Sequence, residues 1–464
     1  NAISYEEYKD FLSKFTPEYA AERSGTNAED IVRAARMFGE TERVMSMWTM
    51  GVNQRVRGVW MNNLIHNLHL LTGKLGYPGA DSFSLTGQPN ACGGVREGGG
   101  LAHLLPGHRL VANEQHREEI ANIWNVPSSN IAPKPGLHTM AMFEAIENGD
   151  IKALYVMCTN PAQSLPNLND YLQGMKDTFM VVAEAFHPTE TSKIADVVLP
   201  AAFWGEKEGV YGCTERRSQY MPKLVEPQGE ARWDAEILID MAKRMGYTDG
   251  FDHFNSGEDI WSEYISTTKG QDMDLTGAPY SRLKEVRGLR WPVPTTDHPG
   301  TTHRYVEGDP LFPEEKAQGR RMYFYGKPDG KAIIFARPDR GPEEPTDDEY
   351  PIALTTGRVL ELWHTNTMTG QVPQLNRAVP EPYLELNPKD ASRLEITDRE
   401  QVRVVTRRDS LEMICRVSER PRPGTIFIPW HWPESLTNLL TTDAIDPGSK
   451  EPEYKVCASR IEKV

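Results

Sequence analysis

The sequence predicts an α/β fold in which Rossmann-like, mostly parallel sheets precede a small C-terminal β-barrel. Across the first half of the chain, short apolar strands alternate with amphipathic helices, which is typical of a parallel sheet covered by helices. Past Tyr350 the pattern changes to short strands separated by Pro, Gly and Asp turns, which favours a barrel. A length of 464 residues allows two to four domains.

Composition narrows the classes of partner. Acidic residues exceed basic ones by 66 to 51, and the net charge of −15 disfavours nucleic acid or an anionic membrane as a partner. No apolar run approaches the ~18–20 residues of a membrane span. The five cysteines are dispersed without a Cys-x-x-Cys pair, which argues against a disulfide framework and against a self-contained zinc or iron–sulfur site.

Periodicity and capping predict the first elements. Short helices fill the first stretch of chain, where Asn27 is a suitable N-cap. A buried strand over 44–50 is followed by a polar turn at 51–54 and a helix over 59–72. The turn therefore lies at the carboxyl end of a strand, where open α/β sheets bind ligands. We expect the apolar face of the helix to consist of Trp60, Leu64, Leu68 and Leu71.

The strand–loop–helix pattern then recurs. The expected elements are a helix over 138–147, strands over 153–157, 179–183 and 197–199, and a helix over 234–245. A polar loop over 158–167 follows the first of these strands. From the last helix we expect Leu238, Met241 and Met245 to point inward.

The remaining chain divides into two parts. Residues 251–348 are rich in Pro, Gly and charge, so we predict an irregular wrapping segment there. Beyond it, the barrel strands are predicted at 351–355, 402–406, 412–417 and 425–429.

The stretch from Phe83 to Gly100 is the most glycine-rich part of the chain. We predict neither helix nor strand there, because no apolar period survives and glycine lets a backbone approach a ligand closely. Its hydrogen-bonding side chains are Thr86, Gln88, Asn90 and Arg96. Arg96 could enter a passage for an anion, or it could pair with Glu97 and hold a surface loop closed.

Several polar side chains follow the predicted strands, and their chemistry suits one large anionic ligand. Asn160 offers an amide directly after a strand. Glu184 ends the next strand, where a carboxylate can bind ribose hydroxyls or guanine N–H groups. Lys207 can neutralise a phosphate, and Asp234 at a helix start is either a ligand contact or a simple N-cap.

The barrel region adds residues that bind phosphates in many proteins. Thr356-Gly357-Arg358 and Trp363-His364-Thr365 combine a glycine that permits close approach, a forked cation and hydroxyl donors. Each residue taken alone has a structural explanation, and His364 beside Trp363 could be an ordinary half-buried pair. Together they predict a large phosphorylated cofactor held between the α/β body and the barrel, without identifying the reaction.

Ordered segments along nearly the whole chain resemble one enzyme family. The Phe83 stretch reads Phe-Ser-Leu-Thr-Gly-Gln-Pro-x-Ala-Cys-Gly followed by Arg-Glu, and the other segments are 50–54, 206–209, 215–217, 287–292, 324–331, 356–361 and 446–455. These segments are similar to the nitrate reductases of the dimethyl-sulfoxide-reductase-type molybdopterin oxidoreductases, in particular to the C-terminal two-thirds of the periplasmic catalytic subunit. The segments at 287–292 and 324–331 favour that type over formate dehydrogenases.

The resemblance implies a fold, a reaction and partners. The fold would end in a six-stranded β-barrel of the double-psi type. The expected units are part of an α/β cofactor-binding domain (1–114), a second α/β dinucleotide-binding domain (115–260), the wrapping segment (261–345) and the molybdopterin dinucleotide-binding barrel (346–464). The expected reaction is the reduction of nitrate to nitrite at molybdenum held by two molybdopterin guanine dinucleotides. A 4Fe-4S cluster and a cytochrome c subunit would deliver electrons in the periplasm, for nitrate assimilation and electron transport.

Mapped onto this sequence, the resemblance also implies site residues. Dinucleotide contacts are expected from Met50, Gln54, Asn160, Glu184, Lys207, Asp234, Thr356, Gly357, Arg358, Glu361, Trp363, His364, Thr365, Asn438 and Lys455. Arg96 would be catalytic and line the nitrate funnel, with Trp430 near the substrate. The family often has Asp where this chain has Glu184, and Phe where it has Trp430. The second difference could narrow the pocket or alter its substrate.

The cysteines that ligate the cluster and the molybdenum lie, in that family, before the region present here. We therefore expect no metal ligand in this chain. Because it begins at Asn1 without Met or a signal peptide, we expect it to be a fragment. The alternatives are another bis-molybdopterin oxidoreductase, such as a formate dehydrogenase, and a structural homologue that has lost the cofactor.

Overall fold

The computed structural model describes residues 2–86 and 88–464, so Asn1 and Gly87 of the glycine-rich stretch lie outside the described residues. The α-helices are α1 Tyr5–Leu12, α2 Pro17–Ser24, α3 Ala28–Glu40, α4 Met50–Asn53, α5 Gly58–Leu71, α6 Glu114–Trp124, α7 Thr139–Glu147, α8 Pro161–Ser164, α9 Asn169–Asp177, α10 Asp234–Arg244, α11 Thr248–Phe251, α12 Gly257–Thr267, α13 Tyr280–Glu285, α14 Glu314–Ala317, α15 Pro373–Ala378 and α16 Pro388–Arg393.

The strands are β1 Ala2–Ile3, β2 Met45–Trp48, β3 Asp81–Ser84, β4 Leu104–Leu105, β5 Arg109–Leu110, β6 Ala153–Met157, β7 Phe179–Glu184, β8 Val197–Pro200, β9 Gly209–Gly212, β10 Arg217–Met221, β11 Leu289–Arg290, β12 Ile334–Phe335, β13 Ile352–Gly357, β14 Tyr383–Leu386, β15 Gln401–Val405, β16 Ser410–Val417, β17 Thr425–Pro429 and β18 Cys457–Lys463. No helix in the described part of the chain is both long and apolar enough to cross a bilayer.

Parallel sheets form the α/β body, as predicted. β2 pairs with β3, and β6, β7 and β8 form a three-stranded sheet, all in parallel register. Helices α7 and α9 cover one face of the three-stranded sheet, and their side chains pack on it around Met180 and Val182, which are fully buried. The sheet therefore fixes the carboxyl ends of β6 and β7 side by side, where Asn160 and Glu184 follow or end a strand.

Two predicted turns are helical. The polar turn at 51–54 is mostly the helix α4, whose cap residue is Thr49. The polar loop over 158–167 contains α8, which Pro161 begins because proline is favoured in a first helical turn. These single-turn helices are too short for periodicity to reveal them.

The apolar face predicted for α5 is wrong at its C-terminal half. Leu68 and Leu71 are exposed, whereas Asn67 and His69 are buried. The Asn67 amide bonds to the backbone of Phe335 in β12, and His69 bonds to the carbonyl oxygen of Lys74 and to Ser46 Oγ. The neighbours of this face offer polar groups, so polar side chains are buried there.

Helix α10 also buries a face other than the predicted one. Ile237 is its buried apolar residue, whereas Leu238, Met241 and Met245 are exposed. The helix is tied to the body at its first residue, Asp234, by an ion pair with Lys207.

Part of the glycine-rich stretch is regular, contrary to the prediction. Its first residues end β3, and Ala91–Glu97 forms a π-helix. A Cβ added to Gly93 would lie 2.6 Å from the backbone nitrogen of Gly212 in β9, so glycine permits this contact. Adjacent glycines hide any apolar period, which is why the sequence did not predict this helix.

The segment 251–348 contains α12, α13 and α14 with two short strands, so it is more regular than predicted. It contributes a compact core of Trp261, Met273, Leu275, Ala278, Tyr280, Leu283, Leu289, Trp291 and Val293. Beside it, Glu215 forms ion pairs with both Arg217 and Arg290. The domain boundaries stay a prediction.

The C-terminal strands close into the predicted six-stranded barrel, in the order β13-β17-β14-β16-β15-β18. Two pairs, β13–β17 and β14–β16, are parallel, and the remaining neighbours are antiparallel. The four predicted barrel strands are confirmed, and β14 and β18 were missed. Alternating residues fill the interior, among them Leu354, Leu384, Val404 and Ile426, each fully buried. The loop after β13 leaves the barrel towards the α/β body.

Candidate functional site

Four side chains meet at the carboxyl ends of β6 and β7, and we call them the sheet-edge cluster: Cys158, Glu184, Lys207 and Asp234. The Lys207 ammonium pairs with Asp234 Oδ2, and the Cys158 thiol lies 3.5 Å from Asp234 Oδ1. Burial raises the pKa of Glu184, and the nearby Asp234 charge raises it further. Glu184 Oε1 accepts from the backbone N–H groups of Ala185 and Phe186, which leaves its other oxygen as an acceptor for N–H or O–H groups of a ligand.

Asn160 is buried within its own loop. Its Oδ1 accepts from Thr191 N at 3.0 Å and Thr191 Oγ1 at 2.7 Å, and its Nδ2 donates to Gln163 Oε1 at 3.1 Å. A fourth contact, at 3.5 Å, joins Nδ2 to Glu190. Because these bonds occupy both the amide oxygen and the amide nitrogen, Asn160 shapes the loop at this edge of the sheet.

A second cluster surrounds the loop that follows β13, residues 358–365, which we call the β13 loop. The Arg358 guanidinium lies 5.1 Å from the Trp363 ring centroid and 5.9 Å from that of Trp430. Its Nη2 is 3.4 Å from His364 Nε2, and burial together with the Arg358 charge lowers the pKa of His364 to about 4. Neutral His364 can therefore stay beside a cation at physiological pH. No carboxylate pairs with Arg358 among the residues that the structure describes.

Gly357 ends β13 against an aromatic ring. A Cβ there would lie 2.3 Å from Phe427, so only glycine fits between the strand and that ring. The Gly357 carbonyl accepts from Trp430 N at 3.3 Å, which holds the Trp430 segment beside the β13 loop. Glu361 and Thr365 lie in the same loop, and Thr365 Oγ1 contacts Thr367 Oγ1 at 2.9 Å.

Lys455 approaches the same end of the barrel. Its Nζ donates to the Thr356 carbonyl oxygen at 2.8 Å, and burial lowers its pKa to about 8, with a further contribution from the Arg358 charge. Glu451, whose pKa is raised by burial, accepts from Gln54 Nε2 at 2.9 Å. Gln54 directly follows α4, so the first β–loop–α unit also reaches this cluster; Met50 is the first residue of that helix.

His431 belongs to this cluster and was missed in the sequence. Its side chain is fully buried; Nδ1 lies 2.7 Å from the His364 carbonyl oxygen, and Nε2 accepts from Val359 N at 3.0 Å. The ring is nearly parallel to that of Trp430, with centroids 5.7 Å apart. In the sequence, a histidine between two tryptophans indicates a buried aromatic residue. No residue spacing around it indicates a functional role.

Hydrogen bonds join the loop after β6 to the segments around His431 and Asn438. Gln163, which accepts from Asn160, donates through Nε2 to the His431 carbonyl oxygen at 3.0 Å. Asn438 Nδ2 donates to the carbonyl oxygens of Gln163 and Ser164 at 3.2 and 2.9 Å. Asn438 is buried and its amide donors are used in these contacts. The loop after β6 is therefore connected to the β13 loop through His431.

Arg96 lies in a different neighbourhood. It ends the π-helix beside Glu97, and its Nη2 donates to Glu97 Oε1 at 2.9 Å. The Glu97 carboxylate is buried, whereas about half of the Arg96 side chain is exposed. Its positive charge also helps to lower the pKa of Asp272, after the contribution of His108. Thus the structure shows the pairing with Glu97 and leaves part of the guanidinium open to a ligand.

Comparison with known proteins identifies the class of site. The molybdopterin oxidoreductase family model matches residues 9–244, and the molydopterin dinucleotide binding domain model matches residues 352–458. The chain belongs to the molybdopterin oxidoreductase family. The first model spans the sheet-edge cluster, and the second spans the β13 loop and Lys455.

The sequences of two relatives align with this molybdopterin oxidoreductase chain along nearly its whole length. It is 52% identical to a nitrate reductase of Symbiobacterium thermophilum over 468 residues and 49% identical to a periplasmic nitrate reductase of Desulfovibrio desulfuricans over 462 residues. These alignments cover 100% and 99% of this chain but 61% of each relative. The fold of acetylene hydratase from Pelobacter acetylenicus matches with a TM-score of 0.70 at 19% identity, over 100% of this chain and 66% of that one.

The donor set fits a dinucleotide with phosphate groups. Arg358 and Lys455 are two neighbouring cations that form no ion pair within the described ranges, and Lys455 is held only by neutral oxygens. Such a pair is stabilised when an anion such as pyrophosphate lies between them. The carboxylates of Glu184 and Asp234 suit the N–H and O–H groups of a nucleoside. Among the described residues, no group of three or more His, Cys, Asp or Glu side chains could hold a metal ion.

The lowered pKa of Lys455 leads to a prediction about stability. Folding lowers this pKa from 10.5 to about 8, so between these pH values the unfolded chain binds more protons and the stability of the cofactor-free protein rises with pH. Below that window both states are charged, and the buried ammonium destabilises the fold. Lys455→Met is therefore expected to raise the melting temperature at about pH 7, with a gain that shrinks by about pH 9.5.

The matched control for this experiment is Lys389→Met, which replaces an exposed lysine of α16 in the same barrel. Thermal melts of both variants and of the parent at the two pH values give the comparison. A Lys455→Met gain that is equal at both pH values would contradict the prediction, as would an equal gain in the control.

Proposed function

We propose that this chain corresponds to the C-terminal part of the catalytic subunit of a molybdenum-dependent nitrate reductase, which reduces nitrate to nitrite. The observation that carries the proposal is the identity of about half of all residues to two nitrate reductases, from one end of this chain to the other. The similarity includes every segment that forms the two clusters.

In this proposal the sheet-edge cluster and the β13 loop bind two molybdopterin guanine dinucleotides. Arg358 and Lys455 bind phosphate oxygens, because they are unpaired cations beside a glycine that permits close approach. Glu184 and Asp234 accept hydrogen bonds from guanine or ribose, and Lys207 compensates their charge. Asn160 and Asn438 hold the loop between the two clusters in shape. Met50, Gln54, Thr356, Gly357, Glu361, Trp363, His364 and Thr365 complete the set of proposed contacts.

When bound, the molybdenum group would supply the two electrons that nitrate needs. The net reaction consumes nitrate, two electrons and two protons, and yields nitrite and water. Arg96 guides the anion, since a chain of net charge −15 repels nitrate unless a cation is available locally. Trp430 lies beside Arg358 and His364, where its ring excludes water from the β13 loop.

The parts that this chain does not contain would supply the rest of the electron path. We place the 4Fe-4S cluster and the cysteine that ligates molybdenum in the share of the relatives that this chain does not span. The name of the Desulfovibrio relative, a periplasmic nitrate reductase, supports a periplasmic location. The cytochrome c electron donor and the roles in nitrate assimilation and electron transport rest on the resemblance of the sequence segments alone.

The test uses the full-length protein. Metal and pterin analysis is expected to give molybdenum and two guanine dinucleotides per chain, and the protein is expected to oxidise a reduced dye when nitrate is added. Formate with an oxidised dye is the parallel assay, because a formate dehydrogenase is the alternative within the family. Protein that oxidises formate and leaves nitrate unchanged would overturn the proposal that nitrate is the substrate. Intact protein without molybdenum would overturn the proposal that the protein is a molybdenum enzyme.

A further inference from the structure

His431 is a buried titratable group to which the mechanism above gives no role. Its imidazole is fully buried, stacks on Trp430 and meets Trp432 edge to face at 6.0 Å. Both ring nitrogens are nevertheless bonded, and both partners are backbone atoms of the β13 loop. Bonding both nitrogens avoids the cost of an unsatisfied buried polar group, and it ties the ring to a single loop.

The partners determine the tautomer of His431. Val359 N–H can only donate, so Nε2 must accept and carries no proton. The His364 carbonyl oxygen can only accept, so Nδ1 carries the proton. Burial also lowers the pKa of His431, in agreement with a neutral ring. The imidazole is therefore held as the neutral Nδ1–H form.

The two bonds span the residues that would touch the cofactor. Val359 directly follows Arg358, and His364 ends the Trp363–His364 pair. The His364 backbone has φ = 44°, in the left-handed region that non-glycine residues rarely adopt. The bond from His431 to the carbonyl oxygen of His364 helps to hold this conformation, which places the His364 ring beside Arg358.

The backbone of His431 is fixed from the other cluster. Gln163 donates to its carbonyl oxygen at 3.0 Å, and Gln163 is in turn held by Asn160. His431 thus contacts the β13 loop through its ring and the loop after β6 through its backbone. A change at the ring would therefore disturb the β13 loop directly.

We propose that His431 is a positioning residue for the molybdopterin guanine dinucleotide, and that its neutral Nδ1–H imidazole fixes the β13 loop in the geometry that binds the cofactor's phosphate groups. This proposal rests on the proposed function for the identity of the ligand. The residue itself touches neither phosphate nor substrate. It acts through Arg358, Trp363 and His364.

The first experiment determines the His431 tautomer in the unmodified full-length protein. Nitrogen-15 labelling of histidine and long-range proton–nitrogen correlation spectra report the tautomer of each ring. Assignment uses the loss of one signal set in His431→Gln. We expect a single neutral Nδ1–H form that persists across the neutral pH range. A protonated ring, or the Nε2–H form, would overturn the proposal, because neither can make both bonds.

The second experiment compares three replacements in the full-length protein. His431→Gln can keep an acceptor for Val359, His431→Asn can keep a donor for His364, and His431→Leu keeps neither. Cofactor release, followed by pterin fluorescence after dilution, is expected to be about tenfold faster in the Leu variant and intermediate in the other two. Rescue by the variants that keep one bond distinguishes positioning from space filling, because leucine fills the core at least as well.

The matched control is His69→Leu. His69 is also fully buried and also has both ring nitrogens bonded, to the Lys74 carbonyl oxygen at 2.7 Å and to Ser46 Oγ at 2.8 Å. We expect it to lower the melting temperature as much as His431→Leu does, while its cofactor release stays within about twofold of the parent. Equal acceleration in both variants would show that general loss of stability causes the release, and would overturn the proposal.

Failure of the proposed function gives a different result. If the protein retains the pterin but does not reduce nitrate, the release rates still test the role of His431. If the parent protein contains no pterin at all, the proposed function and this positioning role both fail. A parent with pterin and a Leu variant with an unchanged release rate would reject the positioning role alone.

Discussion

Arg358→Ala is expected to lower the pterin content of the purified full-length protein by about a hundredfold at limiting cofactor, while the cofactor-free fold changes little in stability. A guanidinium that binds a pyrophosphate through two charge-assisted hydrogen bonds contributes about 1.5–3 kcal/mol per bond, and each 1.4 kcal/mol is tenfold in affinity. In the cofactor-free protein the side chain is exposed and has no carboxylate partner in the part of the chain that is described. Its contacts with Trp363 and Trp430 are lost, at about 0.5–1 kcal/mol each, together with its contact with the His364 ring.

Two further variants make this result specific. Arg358→Lys keeps the charge without the planar fork, so we expect an intermediate pterin content. Arg403→Ala removes a half-exposed arginine of β15 that pairs with Glu412 on the outer surface of the same barrel, and it should leave the pterin content unchanged. Equal pterin content in Arg358→Ala and the parent would show that Arg358 does not bind the cofactor, whatever the melting temperatures of the two proteins.

How far the sequence predicts the fold depends on how each element buries its residues. β6 was placed at its observed bounds because a short apolar run ends at a polar loop, and Asn27 was recognised because it caps α3 through its side chain. β14 was missed because all four of its residues are buried, including Glu385, so no alternation exists to recognise. β18 was missed because its half-exposed positions carry Arg and Glu and three of its four buried positions carry the small residues Cys, Ala and Ser, which gives little apolar signal.

The candidate site could likewise be predicted only in part from the sequence. Glu184, Lys207 and Asp234 could be proposed from sequence because a polar residue at a strand end or helix start has a standard chemical interpretation. The ion pair between Lys207 and Asp234 depends on how two distant segments pack, and no local pattern contains it. The role of His431 depends on two backbone atoms of a loop far away in sequence, 72 and 67 residues from it. Tertiary contacts of this kind become visible only in the structure.

Arg96 has two candidate roles, and the structure shows which substitutions distinguish them. Its guanidinium pairs with Glu97, which is buried, so the pair could close the π-helix and nothing more. About half of the side chain is exposed, so the same guanidinium could also attract nitrate. The nearby glycines do not decide between these roles, because Gly93 is explained by its backbone contact with Gly212. Replacing each partner of the ion pair in turn separates the two.

We expect Arg96→Ala to raise the Michaelis constant of the full-length enzyme for nitrate at least about tenfold, with unchanged molybdenum content, because a hydrogen bond to a charged group contributes about 1.5–3 kcal/mol. Arg96→Lys should recover part of the loss, since it keeps the charge but not the fork. Glu97→Gln breaks the same ion pair and keeps the cation, so its Michaelis constant should stay near that of the parent. Raising the ionic strength should raise the Michaelis constant of the parent and of Glu97→Gln, because salt screens the attraction between the Arg96 guanidinium and nitrate. The effect on Arg96→Ala should be smaller, because that variant lacks the guanidinium. If Glu97→Gln and Arg96→Ala have equal Michaelis constants and equal salt responses, the pair is structural and Arg96 does not bind the substrate.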